Sequence, residues 1–257
     1  MTQKVALITG STSGIGLGIA REMARAGYAI SFNGLEADGA ETAAKVGKEF
    51  GVKTYFSPAN LLHPAEIETY IGETEKNLGS VDVLINNAGI QFVAAVEDFP
   101  VEKWNAIIDL NLTAAFHTTR LLVRGMKERK WGRIINIASA HGLTASEFKS
   151  AYVAAKHGIV GFSKVVALEG APFGVTCNAI CPGYVETPLV KNQIKDQAKT
   201  HGISEAEVIQ KVMLVKQPVK QFVKVEDIGA ICVFLCSDAG NLITGTALPI
   251  DGGWNAQ

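Results

Sequence analysis

Between Ser139 and Lys156 the chain carries a serine, a histidine, two lysines and a tyrosine within eighteen residues. Tyr152 and Lys156 are four residues apart, so in a helix they lie one turn apart on one face. An ammonium about 4 Å from a phenol, at an effective dielectric near 20, stabilises the phenolate by roughly 4 kcal/mol. That corresponds to roughly three pKa units, which would bring a tyrosine from about 10 toward neutrality. A phenol that titrates near neutral pH serves as a general acid or base. Taken alone, Y-x-x-x-K also fits a core tyrosine beside a solvated lysine, so its meaning rests on its surroundings.

A second chemical feature stands near the N-terminus. The apolar run Val5-Ala6-Leu7-Ile8 leads into Thr9-Gly10-Ser11-Thr12-Ser13-Gly14-Ile15-Gly16, and a helical pattern follows. Glycines in such a turn let the backbone approach a pyrophosphate, and the helix offers free N–H groups and the positive end of its dipole. The spacing matches G-x-G-x-x-G only loosely; placement between strand and helix carries the reading. The nucleotide is chosen near the end of the second strand. A 2′-phosphate needs an arginine or lysine, whereas a free ribose hydroxyl prefers an acceptor. The chain has Asn33-Gly34-Leu35-Glu36 there, and Ser13 ahead of Gly14, with no basic side chain in either place. Asn33 or Glu36 is the expected acceptor, and NAD is favoured over NADP.

These groups need a scaffold. Strand-like apolar runs at residues 5–9, 28–33, 54–56, 81–86, 133–139, 175–181 and 247–250 alternate with helical patterns at 15–26, 65–78, 101–130 and 152–171. Strands apolar on both faces, separated by helices, predict an α/β fold: a Rossmann-like, doubly wound parallel sheet with helices on both faces. No repeat, linker or compositional shift divides residues 1–257, which predicts one catalytic domain. A lysine- and glutamine-rich insertion at about 187–221 follows the sixth strand. Insertions at the carboxyl end of a parallel strand overlie the ligand crevice, so a helical lid is expected, with a decorative helical pair as the alternative.

Composition narrows the partners. A net charge of -1 over 257 residues supplies no bulk field for nucleic acid, so any hold on an anion must be local. No membrane span or signal peptide is read, which predicts a cytoplasmic protein. The cysteines are Cys177, Cys181, Cys232 and Cys236. Two C-x-x-x-C pairs do not have the usual zinc spacing, so buried reduced thiols are expected and no metal.

Together these residues resemble the short-chain dehydrogenase/reductase family over essentially the whole chain. The family's glycine motif appears as Gly10, Gly14, Ile15 and Gly16, with Thr12 and Ser13 inside it. Its Asn-Asn-Ala-Gly appears as Asn86-Asn87-Ala88-Gly89, and its Pro-Gly as Pro182-Gly183, followed by Val185 and Thr187. The resemblance implies that all of these line the cofactor, with Thr187 on the nicotinamide carboxamide. It implies catalysis by Ser139, Tyr152 and Lys156, with Asn111 holding a water that links Lys156 to solvent. The family usually has an aspartate against the adenine; here Asn60 precedes Leu61 in that place, and its carbonyl oxygen can still accept from the adenine amino group.

Within the family, the site is most similar to members that oxidise (R)-3-hydroxybutyrate with NAD. That likeness implies a small 3-hydroxy or 3-keto carboxylate held by Gln91, His141, Lys149 and Gln193. Tyr184 stands where a tryptophan is common, which puts the apolar wall of the pocket in question, and Trp254 is expected to help close the pocket, directly or from a neighbouring subunit. A carboxylate needs a local cation and donors, since net charge supplies none, which agrees with Lys149 and His141 flanking the base. The remaining histidines, His63, His117, His157 and His201, read as structural. The resemblance also implies a homotetramer formed through helices 101–130 and 152–171 and the C-terminal strand, although Ile107, Leu110, Leu121 and Phe162 suit an interface or the core. Two rivals remain. One is a 3-oxoacyl carrier-protein reductase using Arg129, Lys130 and Arg133 on an acidic partner. The other is a nucleotide-sensing protein without turnover.

Overall fold

The computed structural model describes residues 3–187, 190, 194, 198 and 202–256. Seven strands form one sheet: β1 (Val5–Ile8), β2 (Ala29–Asn33), β3 (Thr54–Ser57), β4 (Val81–Asn86), β5 (Gly132–Ile137), β6 (Val175–Pro182) and β7 (Ala247–Ile250). Their order is β3-β2-β1-β4-β5-β6-β7, and every neighbouring pair is parallel. Strands β1, β2, β5 and β6 are buried along their full length, as a sheet covered on both faces requires. The chain reverses its direction of travel across the sheet between β1 and β4, so a crevice opens at their carboxyl ends.

Alternate residues of the strands feed two cores. On one face Ile8, Phe32, Ile85, Ile135 and Ile180 pack against α1 (Gly14–Arg25), α2 (Gly39–Phe50) and, further along the chain, the helix Val225–Cys236. On the other, Leu7, Leu84 and Ile134 meet α3 (Pro64–Leu78) through Ile67 and Tyr70, a helix bearing Leu122 and Met126, and Val166 of a later helix. This is the doubly wound arrangement the alternation predicts.

The long helix expected over 101–130 is interrupted. It runs as α4 (Val101–Ile108), one π turn (Asp109–Thr113) and α5 (Ala114–Glu128). The π turn carries Asn111 and re-aims it toward the end of β4, a use typical of such turns. Helix α6 (Ser150–Gly170) begins just ahead of Tyr152. In the expected lid, α7 (Glu205–Val208) starts with a capping box between Ser204 and Glu207 and passes into a second π turn, Ile209–Met213. Ile194, Val208 and Met213 form a small apolar cluster of their own, against which Tyr184 and Phe222 pack. Val225–Cys236 is α8.

A row of polar side chains crosses the buried sheet. Thr118 on α5 donates to Asn86 Oδ1 at 2.7 Å, Asn86 Nδ2 donates to Asn136 Oδ1 at 2.8 Å, and Asn136 Nδ2 donates to Ser163 Oγ on α6 at 2.8 Å. Each member is partnered, so burial does not leave an orphan group.

Ile107 is core beside Ala151 and Ala155, and Leu110, Leu121 and Phe162 are partly buried against the cluster that holds Leu122, Met126 and Val166. The apolar residues that α5 and α6 expose are instead Phe116, Val165 and Leu168. Arg133 is buried and donates to the carbonyls of Gly132 and Gly174 and to Asn241, while Arg129 donates to the Val81 carbonyl at 2.7 Å. Two of the three basic residues considered for an acidic partner are therefore tied into the base of the sheet. All four cysteines are free and buried. Among the described residues, no helix is long and apolar enough to cross a membrane.

Candidate active site

The glycine turn sits at the crevice and is bolted to the end of β4. Thr9 Oγ1 accepts from the backbone N–H of Asn87 at 2.9 Å and of Ala88 at 3.0 Å. Asn87 Nδ2 returns two bonds, to the carbonyls of Thr9 and Gly10. Gly16 lets α1 approach this junction: a Cβ there would lie 2.1 Å from the Gly10 carbonyl oxygen and 2.5 Å from Asn87 Nδ2. Gly10 and Gly14 both have positive φ, 58° and 52°, which an L side chain resists. Helix α1 has no acidic residue in its first turn, and the Ser13 side chain does not cap it. Its leading N–H groups thus meet no acidic side chain from the helix's own first turn, a fit for a dinucleotide pyrophosphate.

The choice between Asn33 and Glu36 narrows to Glu36. Asn33 is buried, accepting from Gly10 N at 3.2 Å and donating to the carbonyls of Ser57 and Ala59. It ties together the ends of β1, β2 and β3 and does not present an acceptor to a ribose. Glu36 is exposed and accepts from Thr12 Oγ1 and, at 2.8 Å, from Ser13 Oγ. The Thr12 hydroxyl holds its carboxyl below the usual range, so it is anionic at neutral pH. Asn60 Oδ1 accepts from Leu62 N at 3.1 Å in a local turn, which occupies part of the acceptor expected to face adenine, and Leu61 is buried beside it.

Past β5, Ser139 adopts extended backbone and its Oγ accepts from His141 N at 3.1 Å, leaving the hydroxyl proton to be donated elsewhere. Tyr152 and Lys156 share one face of α6, as their spacing predicts, with the ammonium 5.5 Å from the ring centroid. The predicted electrostatics do not hold, however. Burial raises the Tyr152 pKa, opposed by a hydrogen bond with Ser139 and not by Lys156. The Lys156 ammonium is turned onto the Ile137 carbonyl at 2.8 Å, and burial lowers it to about 8. Desolvation of both groups outweighs their mutual attraction in this state. The Asn111 amide is anchored on Ile90, accepting from its N–H at 2.9 Å and donating to its carbonyl at 3.0 Å. A cavity of ≈ 10 Å³ adjoins it, lined by Thr9, Asn86, Thr118 and Ile137, about the size of one water.

The recess above Tyr152 is aromatic and polar. His141 lies edge-on to Tyr152, ring centroids 6.0 Å apart, and to Trp254 at 5.1 Å. Tyr184 stacks on Trp254 and so supplies the apolar wall that the absence of tryptophan put in question. His141 Nε2 lies 3.0 Å from Ser146 Oγ. Burial, reinforced by Lys149 and Lys216, lowers His141 to about 4, so it is a neutral hydrogen-bonding group at pH 7 and the cation is Lys149. Lys149 stands at the entry of α6, directly after Phe148, whose φ of 64° is strained for an aromatic residue. The Phe148 carbonyl accepts from Ala94 N at 3.0 Å, joining this turn to the exposed loop that bears Gln91.

A family model for short chain dehydrogenases matches residues 4–198. The chain belongs to the short-chain dehydrogenase family. It is 54% identical over 257 residues to a D-beta-hydroxybutyrate dehydrogenase of Rhizobium meliloti, covering 99% of both chains. It is also 54% identical to one of Cupriavidus necator, covering 99% of this chain and 98% of that one. An acetoacetyl-CoA reductase of Paracoccus denitrificans is 38% identical over 95% of this chain and 94% of its own. Among solved structures, L-sorbose reductase of Gluconobacter frateurii, complexed with NADPH and L-sorbose, superposes with a TM-score of 0.94 at 31% identity, over 100% of this chain and 98% of that one.

This short-chain dehydrogenase, an oxidoreductase, thus gathers Ser139, His141, Tyr152, Tyr184 and Trp254 in one recess, with Lys149 at its edge. Gln193 lies outside the described residues. Val185 pairs with Val223 in an isolated bridge, and Thr187 approaches Gly14, where a Cβ would lie 3.9 Å from Thr187 Cγ2. Pro182 ends β6, and the Gly183 N–H donates to the Ile250 carbonyl at 2.9 Å. Gly89 adjoins Asn111, 3.2 Å from a would-be Cβ to Oδ1. Sequence reasoning missed Thr9, Ser146, Lys216 and Gln217. Thr9 was legible as the hydroxyl closing the first strand; the others come from distant segments with no shared motif.

Proposed function

We propose that this dehydrogenase interconverts (R)-3-hydroxybutyrate and acetoacetate with NAD. The observation that carries the reading is a half-buried ammonium, Lys149, and a neutral imidazole, His141, at the recess that holds Ser139 and Tyr152. A small acid with a hydroxyl on its third carbon can reach both a cation and a phenol there. The relatives at 54% identity support the same substrate.

Glu36 supports NAD, since its carboxylate accepts from a ribose hydroxyl and repels a 2′-phosphate. Gly10, Gly14 and the start of α1 would hold the pyrophosphate, Val185 and Thr187 the nicotinamide side, and Lys156 its ribose. When bound, the oxidised nicotinamide supplies the acceptor for the hydride from C3. Tyr152, as phenolate, takes the hydroxyl proton in oxidation and returns it in reduction. Ser139 donates its hydroxyl proton to the reacting oxygen and fixes its place. A water in the cavity that Asn111 lines would pass the proton outward. We read residues 1–257 as one catalytic domain of a cytoplasmic homotetramer, with the exposed Phe116, Val165 and Leu168 as the apolar face for a second copy.

Reduced-cofactor absorbance tests the proposal, with NAD against NADP and (R)-3-hydroxybutyrate against sugars and acyl thioesters. Reduction of NAD by (R)-3-hydroxybutyrate above all other pairings is expected; preference for an acyl thioester with NADP would sink it.

A further inference from the structure

Tyr184 and Trp254, the stacked pair that walls the recess, stand on two separate arms of chain, one leaving β6 and the other leaving β7. A third segment, residues 217–223, returns from the second π turn and is bonded to both arms. Val223 N donates to the Tyr184 carbonyl at 2.9 Å, and Val219 N donates to the Gly252 carbonyl at 2.9 Å. Pro218 lies against Gly253, where a Cβ would come within 3.3 Å of its Cγ.

Gln217 opens this segment and is fully buried. Its Oε1 accepts from Tyr184 N at 2.7 Å, and its Nε2 donates to the Gln221 carbonyl at 3.0 Å. A glycine from each arm makes room for it: a Cβ on Gly183 would lie 2.5 Å from Oε1, and one on Gly252 3.0 Å from Nε2. The place needs an acceptor and a donor at once, out of water and without charge, and a primary amide supplies both. With Val223 it holds both backbone polar groups of Tyr184, so the ring's point of attachment is fixed from this segment. The base and its partners are carried elsewhere: Ser139 follows β5, and Tyr152 and Lys156 ride on α6.

We propose that Gln217 is a positioning residue for substrate binding: its amide locks the arms of Tyr184 and Trp254 together and so fixes the apolar wall against which the substrate's carbon chain lies. This rests on the reading above that the substrate occupies this recess. Loss of the lock leaves a free enzyme whose wall is only fractionally in place, and apparent affinity falls by that fraction. The chemical step, carried by other elements, keeps its rate once substrate is bound.

Gln217→Met keeps the length and bulk of the side chain and removes both bonds. A buried N–H left without its acceptor shifts an equilibrium by about tenfold, so the KM for (R)-3-hydroxybutyrate should rise about tenfold while kcat stays within about threefold. Should that variant fail to fold, Gln217→Asn, one carbon shorter and out of reach of Tyr184 N, is read in the same way. A merely structural part would lower the melting temperature and leave KM where it was. Two further measurements read the wall itself. In a background of Trp104→Phe and Trp131→Phe, Trp254 is the one tryptophan left of three. It is buried, and its emission should move to longer wavelength when Gln217→Met opens the stack to water. In a Tyr184→Leu background, Gln217→Met should change KM by less than about twofold, because the ring it positions is gone. An unchanged KM, a fall in kcat as large as the rise in KM, additive effects of the two substitutions, or an unmoved emission would each overturn the proposal. If the emission moves while the unsubstituted enzyme fails to oxidise (R)-3-hydroxybutyrate, the proposed reaction falls and the wall lock stands, with KM then read on the alcohol the enzyme does oxidise.

Discussion

Trp254 and Tyr184 stack with ring centroids 5.6 Å apart and planes 14° from parallel. The two rings come from the same, carboxyl end of the sheet's last parallel pair, Tyr184 after β6 and Trp254 after β7. His141 meets Trp254 edge-on and Tyr152 on its other side, so one aromatic group sets the distance between the pocket wall and the base. A tyrosine serves in this place because stacking needs a flat ring and not an indole.

Tyr152→Phe removes the group proposed to take and return the proton at the reacting oxygen. General acid–base groups contribute about 10²–10⁴-fold, so turnover should fall by that order while NADH binding survives. Steady-state kinetics beside a cofactor titration decide it; full activity in the variant would refute the mechanism.

The two directions should respond oppositely to pH. With the Tyr152 pKa raised, the phenol form dominates at neutrality. Oxidation needs the phenolate, so its rate should climb with pH up to and beyond about 10, while reduction, which consumes the phenol, stays level below that pH and slows only above it. His141, near 4, stays neutral throughout and adds no acidic limb. Parallel pH profiles in the two directions would contradict this assignment.

Glu36→Gln should shift cofactor choice. The amide oxygen can still accept from one of the Thr12 and Ser13 hydroxyls, and its NH2 can donate to the other, while the charge that opposes a 2′-phosphate is gone. A factor of ten requires only about 1.4 kcal/mol, less than a close pair of like charges costs, so the ratio of NADP to NAD efficiency should rise about tenfold or more. A ratio that does not move would place cofactor discrimination elsewhere.

Asn136→Ala cuts the polar row at its centre, leaving Asn86 Nδ2 without its acceptor and Ser163 without its donor. An unpartnered buried group costs about 1–3 kcal/mol, and the cavity adds to it. For a chain of this length, the melting temperature should fall by roughly 5–15 °C. Calorimetry on the cofactor-free enzyme measures this, and an unchanged melting temperature would show that the row is dispensable.

The sheet was legible because β1, β2, β5 and β6 are buried along their whole length and read as largely apolar runs; β4 and β7 were located to the residue. That Tyr152 and Lys156 share a helix face was legible from their spacing, while their chemical reading needed the surrounding motifs. The direction of the Tyr152 shift was not, because desolvation depends on what the whole fold places around a group. The π turn at Asp109–Thr113 leaves no mark on a 3.6-residue period. Asn33 read as a ligand group because a strand-end asparagine looks the same whether it faces a ribose or three neighbouring backbone groups. Lys216 meets Ser146 across 70 residues, a separation no motif spans.

The free cysteines have a practical use. Cys177 and Cys181 lie on β6, Cys232 and Cys236 on α8, and burial holds their thiols far from the reactive thiolate, at about 12 for Cys177 and about 11 for Cys181. A thiol reagent can attack them only when this half of the molecule opens. Alkylation is therefore a stopwatch for global unfolding: the rate at which native enzyme takes up label counts its excursions out of the folded state, with no fluorophore added.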